Sequence, residues 1–436
     1  MKKLKSTLFV LVCLLFSINL NAQYYDSFDL KKYYTPDIVR NELDLNFNSE
    51  GFSNKNDDDD THYLKGDVSG YFMHLKNTRK FVGQHLTKLR YSGELYKNTE
   101  NNQKKNTHDI TLEYTNISKI YFPNKMFFHT GGELSTGVNR NKANDIVDKD
   151  IFLDISIPLM VGYGRIEDVT DARQAIYILD NLSKNKVLKR TLTEEEVFVF
   201  SQIISRVKNK RFLDSRLRLI DEIATVDSFF VDNGLITESS ATYFTTLYDY
   251  WMYGDRFKRG AGYEIEAGIK PAYSYFYSKY GNGSSKNNYP VINAIAAFSY
   301  EKPVNLYWQN SINATLMAQY ADYKPKNAIH SKDYQLALSG TYMWGYYPTS
   351  RTNINMGITE TAALVKQKME DNYGEISRGY INTSLFLKAY YYFSPQLRLS
   401  ADVAFQHQYQ KRTGTFAYSD DLFAARYNLS LTYSIF

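Results

Sequence analysis

Cysteine is almost missing. The only one, Cys13, lies within an early apolar run, with Val12 rather than a small residue before it, a poor setting for lipid attachment. No cysteine follows, so disulfides and thiolate metal sites are excluded downstream, whatever the redox compartment. Long hydrophobic runs are missing too. No segment after the first 22 residues has about eighteen consecutive apolar residues, so no helical membrane span is expected. Histidines number 7 and are scattered. There is no Gly-x-Ser-x-Gly, no His-Glu-x-x-His and no P-loop. Charge of one sign is missing as well. Lys and Arg total 52 against 47 Asp and Glu, a balance that does not point to nucleic acid. These absences argue against an enzyme and supply no cofactor or metal site.

Two stretches with ligand-like composition have plainer readings. Residues 57–60 are four aspartates, which could bind a divalent cation or form a solvated loop. They lack the spaced ligands of a calcium loop. Residues 281–285 are glycine-rich but fall in an expected loop.

The chain opens with Met1-Lys2-Lys3-Leu4-Lys5, turns apolar to about Leu20, and reaches Asn21-Ala22-Gln23. A basic start, a short apolar run and a small residue form a secretory signal peptide, residues 1–22. Cleavage there removes Lys2, Lys3 and Lys5 and no acid, so +5 falls to +2.

Aromatics are abundant, with Tyr 39 and Phe 26. Tyrosine suits a surface between lipid and water, because its ring is apolar and its hydroxyl wants a partner. From about Val39 the chain falls into segments that alternate at period two. Leu43, Leu45 and Phe47 alternate with Glu42, Asp44 and Asn46. Leu89, Tyr91 and Leu95 alternate with Lys88, Arg90 and Glu94. Tyr334, Leu336 and Leu338 repeat the pattern late in the chain. This is the signature of strands with one apolar and one polar face. Long polar loops are expected at 98–106, 139–148, 281–288, 324–332, 370–378 and 411–421, and short turns between them. Aromatic pairs stand beside the short turns: Tyr121-Phe122, Phe127-Phe128, Tyr346-Tyr347 and Tyr392-Phe393. They read as an interfacial girdle.

These features resemble the outer-membrane β-barrels (porin-like) of Gram-negative bacteria. The signal peptide, the Tyr-rich strands, the asymmetric loops and the terminal Phe436 carry the resemblance. The leader's Asn-Ala-Gln end and the Tyr, Asn and Lys richness look like proteins of the Bacteroidota. Phe436 departs from the usual pattern, since Ser434, Thr432, Ser430 and Asn428 share its face. The expected fold is an all-β transmembrane barrel of about 14 antiparallel strands with an α-helical periplasmic insertion. The expected division is a leader 1–22, an N-terminal periplasmic segment 23–37, a first barrel half 38–161, a helical insert 162–260 and a second half 261–436. The resemblance implies outer-membrane lipid and the barrel-assembly machinery as partners, and no particular activity.

Within 162–260 the period changes. Thr170 is positioned to cap a first helix, and Thr193 and Glu196 to form a capping box. Val197, Phe200, Ile204 and Val207 repeat at helical spacing, as do Leu219, Ile223, Val226 and Phe230 before Gly234. Phe244, Leu247, Tyr248 and Trp251 make a fourth stripe. The charges at 184–190 and 208–211 read either as a solvated helix surface or as a dock for a periplasmic protein or the cell wall.

The polar strand faces carry Glu42, Asp44, Lys76, Lys88, Arg90, Glu94, Glu113, Glu133, Asp154, Glu264, Glu266, Lys388, Arg398 and Asp402. In a barrel these face the lumen, because charge toward mid-bilayer lipid is costly. His74 reads the same way. The lumen is then either a wet channel selecting small polar solutes or one closed by opposite charges or a plug, for which 23–36 is a candidate. The alternatives are a structural or assembly protein whose insert docks a periplasmic partner, and a barrel enzyme acting on lipid or exported substrate.

Overall fold

The computed structural model describes residues 28–433 except 56–59, 100–101, 145, 211–214, 237–239, 255–256, 282, 326–329, 371–373, 395 and 415–416. The leader 1–22, Cys13, most of the acidic run and the terminal Phe436 lie outside the described residues.

A 3-10 turn (Leu30–Lys32) precedes seven strands: β1 (Ile38–Lys55), β2 (Asp60–Asn77), β3 (Phe81–Asn98), β4 (Gln103–Tyr121), β5 (Met126–Ala143), β6 (Ile146–Ser156) and β7 (Leu159–Asp168). Four helices follow: α1 (Thr170–Lys184), α2 (Glu194–Lys208), α3 (Ser215–Asp232) and α4 (Ala241–Tyr253). Eight more strands complete the chain: β8 (Gly260–Tyr280), β9 (Gly283–Pro303), β10 (Trp308–Tyr323), β11 (Ser331–Thr349), β12 (Thr352–Met369), β13 (Glu375–Tyr392), β14 (Leu397–Thr413) and β15 (Tyr418–Tyr433).

The strands form one antiparallel barrel sheet in chain order. β6 and β7 lie end to end, since each pairs with both β5 and β8. Fifteen elements therefore fill fourteen lanes. The break between β6 and β7 falls at Pro158, with Pro271 in the gap of the facing strand. Neither residue has an N–H for the ladder, so pairing stops there. β1 and β15 end the order, and among the described residues no ladder joins them.

Alternation sorts each strand into two faces, and the register carries the phase from strand to strand. Leu43 pairs with Phe72, and Asp44 with Tyr71. The outward row is apolar and exposed, with Leu89, Ile265, Leu338 and Leu385 at 51–52%. The inward row is polar.

The strands run far past that apolar row. A strand of 18 residues extends about 60 Å, whereas the lipid-facing band of a barrel is about 25 Å tall. The expected polar loops are mostly these extensions: β5 runs to Ala143, β9 starts at Gly283 and β13 at Glu375. Polar residues on both faces hide the period while the backbone ladder continues. Asn102, Asn144 and Gly281 take the left-handed backbone at the far hairpins (φ 47, 52 and 52), which permits tight reversals. Loop length therefore does not distinguish the ends. What differs is how far the strands project beyond the apolar row. On β5 the outward Arg140 and Lys142 lie at the far end, whereas Met126 and Phe128 adjoin the near turn.

The interruption also moves. The alternation does not stop at Val161, because β7 reaches Asp168. Gly162 and Gly164 occupy inward positions and leave no side-chain pattern to read. The Gly162 position is needed bare. A Cβ there would lie 2.3 Å from Phe127 Cζ, and Phe127 is 1% exposed.

The helices share one core with the barrel rim. Phe200 stacks on Phe229 at 5.1 Å and meets Phe230 edge-on at 5.2 Å. Each such burial is worth roughly 1.5–3 kcal/mol. Leu30 and Tyr33 from the N-terminal segment, and Leu306 and Tyr307 from the β9–β10 turn, complete the cluster. The α2 capping box is present: Thr193 Oγ1 accepts from Glu196 N, and Glu196 accepts from Thr193 N. Arg190 grips the same carboxylate at 2.7–2.8 Å and holds its pKa down to about 2. Thr193→Ala is expected to cost about 1 kcal/mol and speed amide exchange in the first turn of α2 roughly fivefold. An unchanged exchange rate there would contradict the cap's role. Two helix expectations need correction. Thr170 does not cap α1; Asp168 Oδ1 accepts from Thr170 N instead, at 2.9 Å. On α4 the buried residues are Tyr243, Leu247, Trp251 and Tyr253, while Phe244 and Tyr248 are exposed.

Candidate functional site: the charged lumen and its capped mouth

The register places thirteen of the expected lumen residues on the inward face: Glu42, Asp44, Lys88, Arg90, Glu94, Glu113, Glu133, Asp154, Glu264, Glu266, Lys388, Arg398 and Asp402. Lys76 is the exception. It pairs with the outward Val39, so it stands on the outer face beside the near rim, and His74 shares that face. The physical reason is that the faces of β2 are reversed near this end, with the polar His74 and Lys76 outward. Tyr71, Met73 and Leu75 point inward, and hydropathy alone assigned the phase the wrong way round.

Folding joins many of these charges to partners that hydropathy did not mark. Glu264 accepts from Lys119 Nζ at 2.5 Å and from the Tyr121 hydroxyl at 2.8 Å. Glu266 lies 2.8 Å from His129 Nδ1 and 3.9 Å from Lys119 Nζ. β4 and β8 are separated by two lanes, so this cluster ties the wall across its curvature. Lys270 donates to Glu133 at 2.6 Å, and Ser156 to the same carboxylate oxygen at 3.1 Å. Lys88 lies 3.6 Å from Glu113, Arg90 2.9 Å from Asp67 and Lys105 3.3 Å from Glu94. Arg40 pairs with Glu42. A chamber of about 380 Å³ opens between Glu113, Glu133, Asp154 and Lys270. The opposite wall, β10 to β12, presents inward amides and hydroxyls such as Gln309, Asn313, Thr341 and Thr359. Lys119 and His129 escape sequence reading because each becomes a lumen partner only through long-range register, whereas Lys270 already alternates with the apolar stripe of its strand.

The helices stand in one mouth of the barrel. Period-two alternation splits every aromatic pair of the expected girdle. Phe122, Phe128, Tyr346 and Phe393 take the outward side, while Tyr121, Phe127, Tyr347 and Tyr392 are buried within the wall or mouth. Half of the expected girdle is therefore mouth. Tyr177 of α1 donates its hydroxyl to Tyr347 O at 2.8 Å. The Tyr347 ring has Arg173 at 5.1 Å and Arg259 at 5.0 Å from its centroid. Tyr253 and Phe257 pack edge-on against Tyr392, and Phe257 also reaches Tyr390. Asp249 pairs with Arg351 in the β11–β12 turn.

Arg259 is the pivot of this joint. Its guanidinium donates to Leu306 O, to Asn305 O at 2.9 Å, to Trp308 O at 2.8 Å and to Gln309 Oε1 at 3.0 Å. Burial, with Arg173 nearby, lowers its pKa to about 10. Across the mouth, Thr35 Oγ1 donates to Asp168 O at 3.2 Å, and Arg79 stacks on Tyr34 at 4.4 Å. The described part of the candidate plug thus packs on the insert and rim.

One insert group titrates near neutrality. Burial and then the nearby Asp168 raise the Asp171 pKa from 3.8 to about 6, against the lowering effect of Lys208 and the Ser205 hydrogen bond. The folded state then holds a proton that the unfolded chain has released. Insert stability from this group is present below about pH 4 and is lost as pH rises toward 6. Limited proteolysis of the insert is expected to speed up from pH 4.5 to 7, and Asp171→Asn to flatten that profile. An identical slope in the variant would exclude Asp171 as its source.

No protein-family model and no curated protein matches the chain. Solved structures to which it is similar include a bacterial polysaccharide outer membrane secretin, at 8% identity over 92% of this chain and 100% of that chain, TM-score 0.24. Another is outer-membrane expressed OmpT of Vibrio cholerae, at 11% identity over 88% and 99%, TM-score 0.25. A third is the beta domain of the Bordetella autotransporter Brka, at 7% identity over 92% and 100%, TM-score 0.23.

Proposed function

We propose that this chain is an outer-membrane β-barrel that passes small polar solutes, with its helical insert on the periplasmic side, seated in the mouth. One observation carries the reading: thirteen sequence-identified charges share the inward face while the outward face is apolar. An apolar band with an ionised interior suits lipid outside and water inside. The side assignment follows from the strands projecting past the apolar row only at the end away from the insert, as extracellular extensions do in such barrels. Purified protein in planar bilayers should give discrete ion conductance. Complete silence, both with the insert and with it removed, would end the channel reading.

A second reading has its own support. The free surface of the insert exposes Ile220 at 77%, with Val231, Val199, Tyr248 and Phe244 also exposed. Apolar groups clear of the rim suit a periplasmic protein partner. Full-length protein should then capture a specific periplasmic protein, and Ile220→Glu should abolish the capture. Recovery of nothing by the wild-type chain would exclude docking.

A further inference from the structure

We propose that the inner wall formed by β13, β14 and β15 is an anion-binding track for organic solutes bearing a carboxylate or phosphate. The proposal rests on the lumen being a solute path, and it names the class of solute.

The two sides of the lumen treat their bases differently. On β1 to β8 every inward Lys or Arg lies within ion-pairing distance of a carboxylate: Arg40 with Glu42, Lys65 with Asp67, Lys88 with Glu113, Arg90 with Asp67, Lys105 with Glu94, Lys119 with Glu264 and Lys270 with Glu133. Arg378, Lys388, Arg398, Arg412 and Arg426 face inward on β13 to β15. Among the described residues none of these five lies within ion-pairing distance of a carboxylate, although Asp402 is the ladder partner of Lys388. The nearest polar contact of Arg378 is Gln367 Oε1, at 3.5 Å.

Three details make this wall a site rather than scattered charge. Arg378 pairs directly with Arg412 in the ladder, and like charges facing across strands repel unless an anion lies between them. Arg398 Nε and Arg412 Nε are buried donors without an acceptor, which a bound oxyanion would supply. Flat rings alternate with the bases: Tyr380, Phe386 and Tyr390 share the inward row of β13, with Arg398 over Tyr390 at 5.8 Å and Lys388 by Phe386 at 5.7 Å. Inward Gln406, Gln408 and Gln410 on β14 can bond hydroxyls. From Arg378 to the Arg398 level at Tyr392 the row spans 14 residue steps, about 46 Å of strand. Acids also stand on this wall, with Asp402 opposite Lys388 and Asp420 diagonal to Arg412, so the arginines Arg378, Arg398 and Arg412 rather than Lys388 carry the track, and an anion passes between them along that length.

The test uses full-length protein in detergent, glucuronate and inorganic phosphate as probes, and glucose as the neutral control. Glucuronate should bind saturably by calorimetry, more weakly at high salt, and glucose should bind far less. Phosphate binding without glucuronate binding would restrict the track to inorganic anions and overturn the organic-solute assignment. R378Q/R412Q and R398Q should each weaken binding about tenfold, while Lys76→Gln on the outer face leaves it unchanged. R378Q should also raise thermal stability, because it removes a like-charge pair, which confirms that the variant folds. Conductance is measured separately. Binding without conductance would sink the channel reading and leave the track. Conductance without binding of either probe, or binding indifferent to all three arginines, would sink the track and leave the channel.

Discussion

Replacing residues 170–258 with a short turn should raise single-channel conductance several-fold. Arg259 is kept because it ties the β9–β10 turn. The expectation follows from where the insert makes contact. Tyr347, Tyr390 and Tyr392 are inward residues of β11 and β13, and Arg173, Tyr253 and Phe257 pack on them. Helices touching only the outer edge of the rim would leave the path clear; these reach the inner row. The barrel ladder does not depend on them, since β7 and β8 pair from Asp168–Gly260 onward. Should the deletion fail to assemble, Tyr347→Ala with Phe257→Ala tests the same joint. Truncating well-packed aromatics costs about 3–5 kcal/mol each, enough to unseat a small domain. Frequent long openings are then expected. A conductance unaffected by either change would show that the insert does not obstruct the path.

The second large effect concerns Lys119 and Glu264. Their side chains are 15% and 16% exposed, and the bond is 2.5 Å. Lys119→Met leaves Glu264 with Tyr121 alone among its close partners. Removing one member of a buried pair costs about 3–5 kcal/mol, and the residual exposure to lumen water should reduce this to about 2–3 kcal/mol. The double variant K119M/E264Q should recover most of the loss, because no buried charge is then stranded. Heat-induced loss of the folded barrel on gels reads both. Equal melting of the single and double variants would mean that the pair is decoration.

Much of this architecture was legible in the chain. Period two located the strands, because half-buried strands must alternate. Period 3.6 located four helices, and the Thr193–Glu196 box was readable as letters. The failures share one cause. Hydropathy reports only where one face is wet and the other is not. Past the apolar row both faces are polar, so strand reads as loop at 103–106 and 375–378. At β2 near the rim the apolar Tyr71, Met73 and Leu75 face inward and the polar Lys76 and His74 outward, so the polar-inside rule puts the last two on the wrong side. At Gly162 and Gly164 one face has no side chain, so β7 seemed to end early. The lumen charges were found one strand at a time, but their pairing was not. Lys119 and Glu264 are 145 residues apart and meet only once the register is set. The mouth was hidden for a different reason. Neighbouring aromatics such as Tyr346-Tyr347 look alike in sequence, yet one faces out and the other carries the insert.

The central claim is that one strand face meets lipid and the other meets water. Single cysteines on β13 test it most directly, because the chain has no cysteine after Cys13. Protein reconstituted in lipid vesicles would be exposed to a polar, membrane-impermeant maleimide. Labelling is predicted at Asn382, Ser384 and Lys388 on the inward row, with protection at Ile381, Leu385 and Leu387 on the outward row. Equal labelling of both rows, or labelling of the outward row alone, would contradict the account.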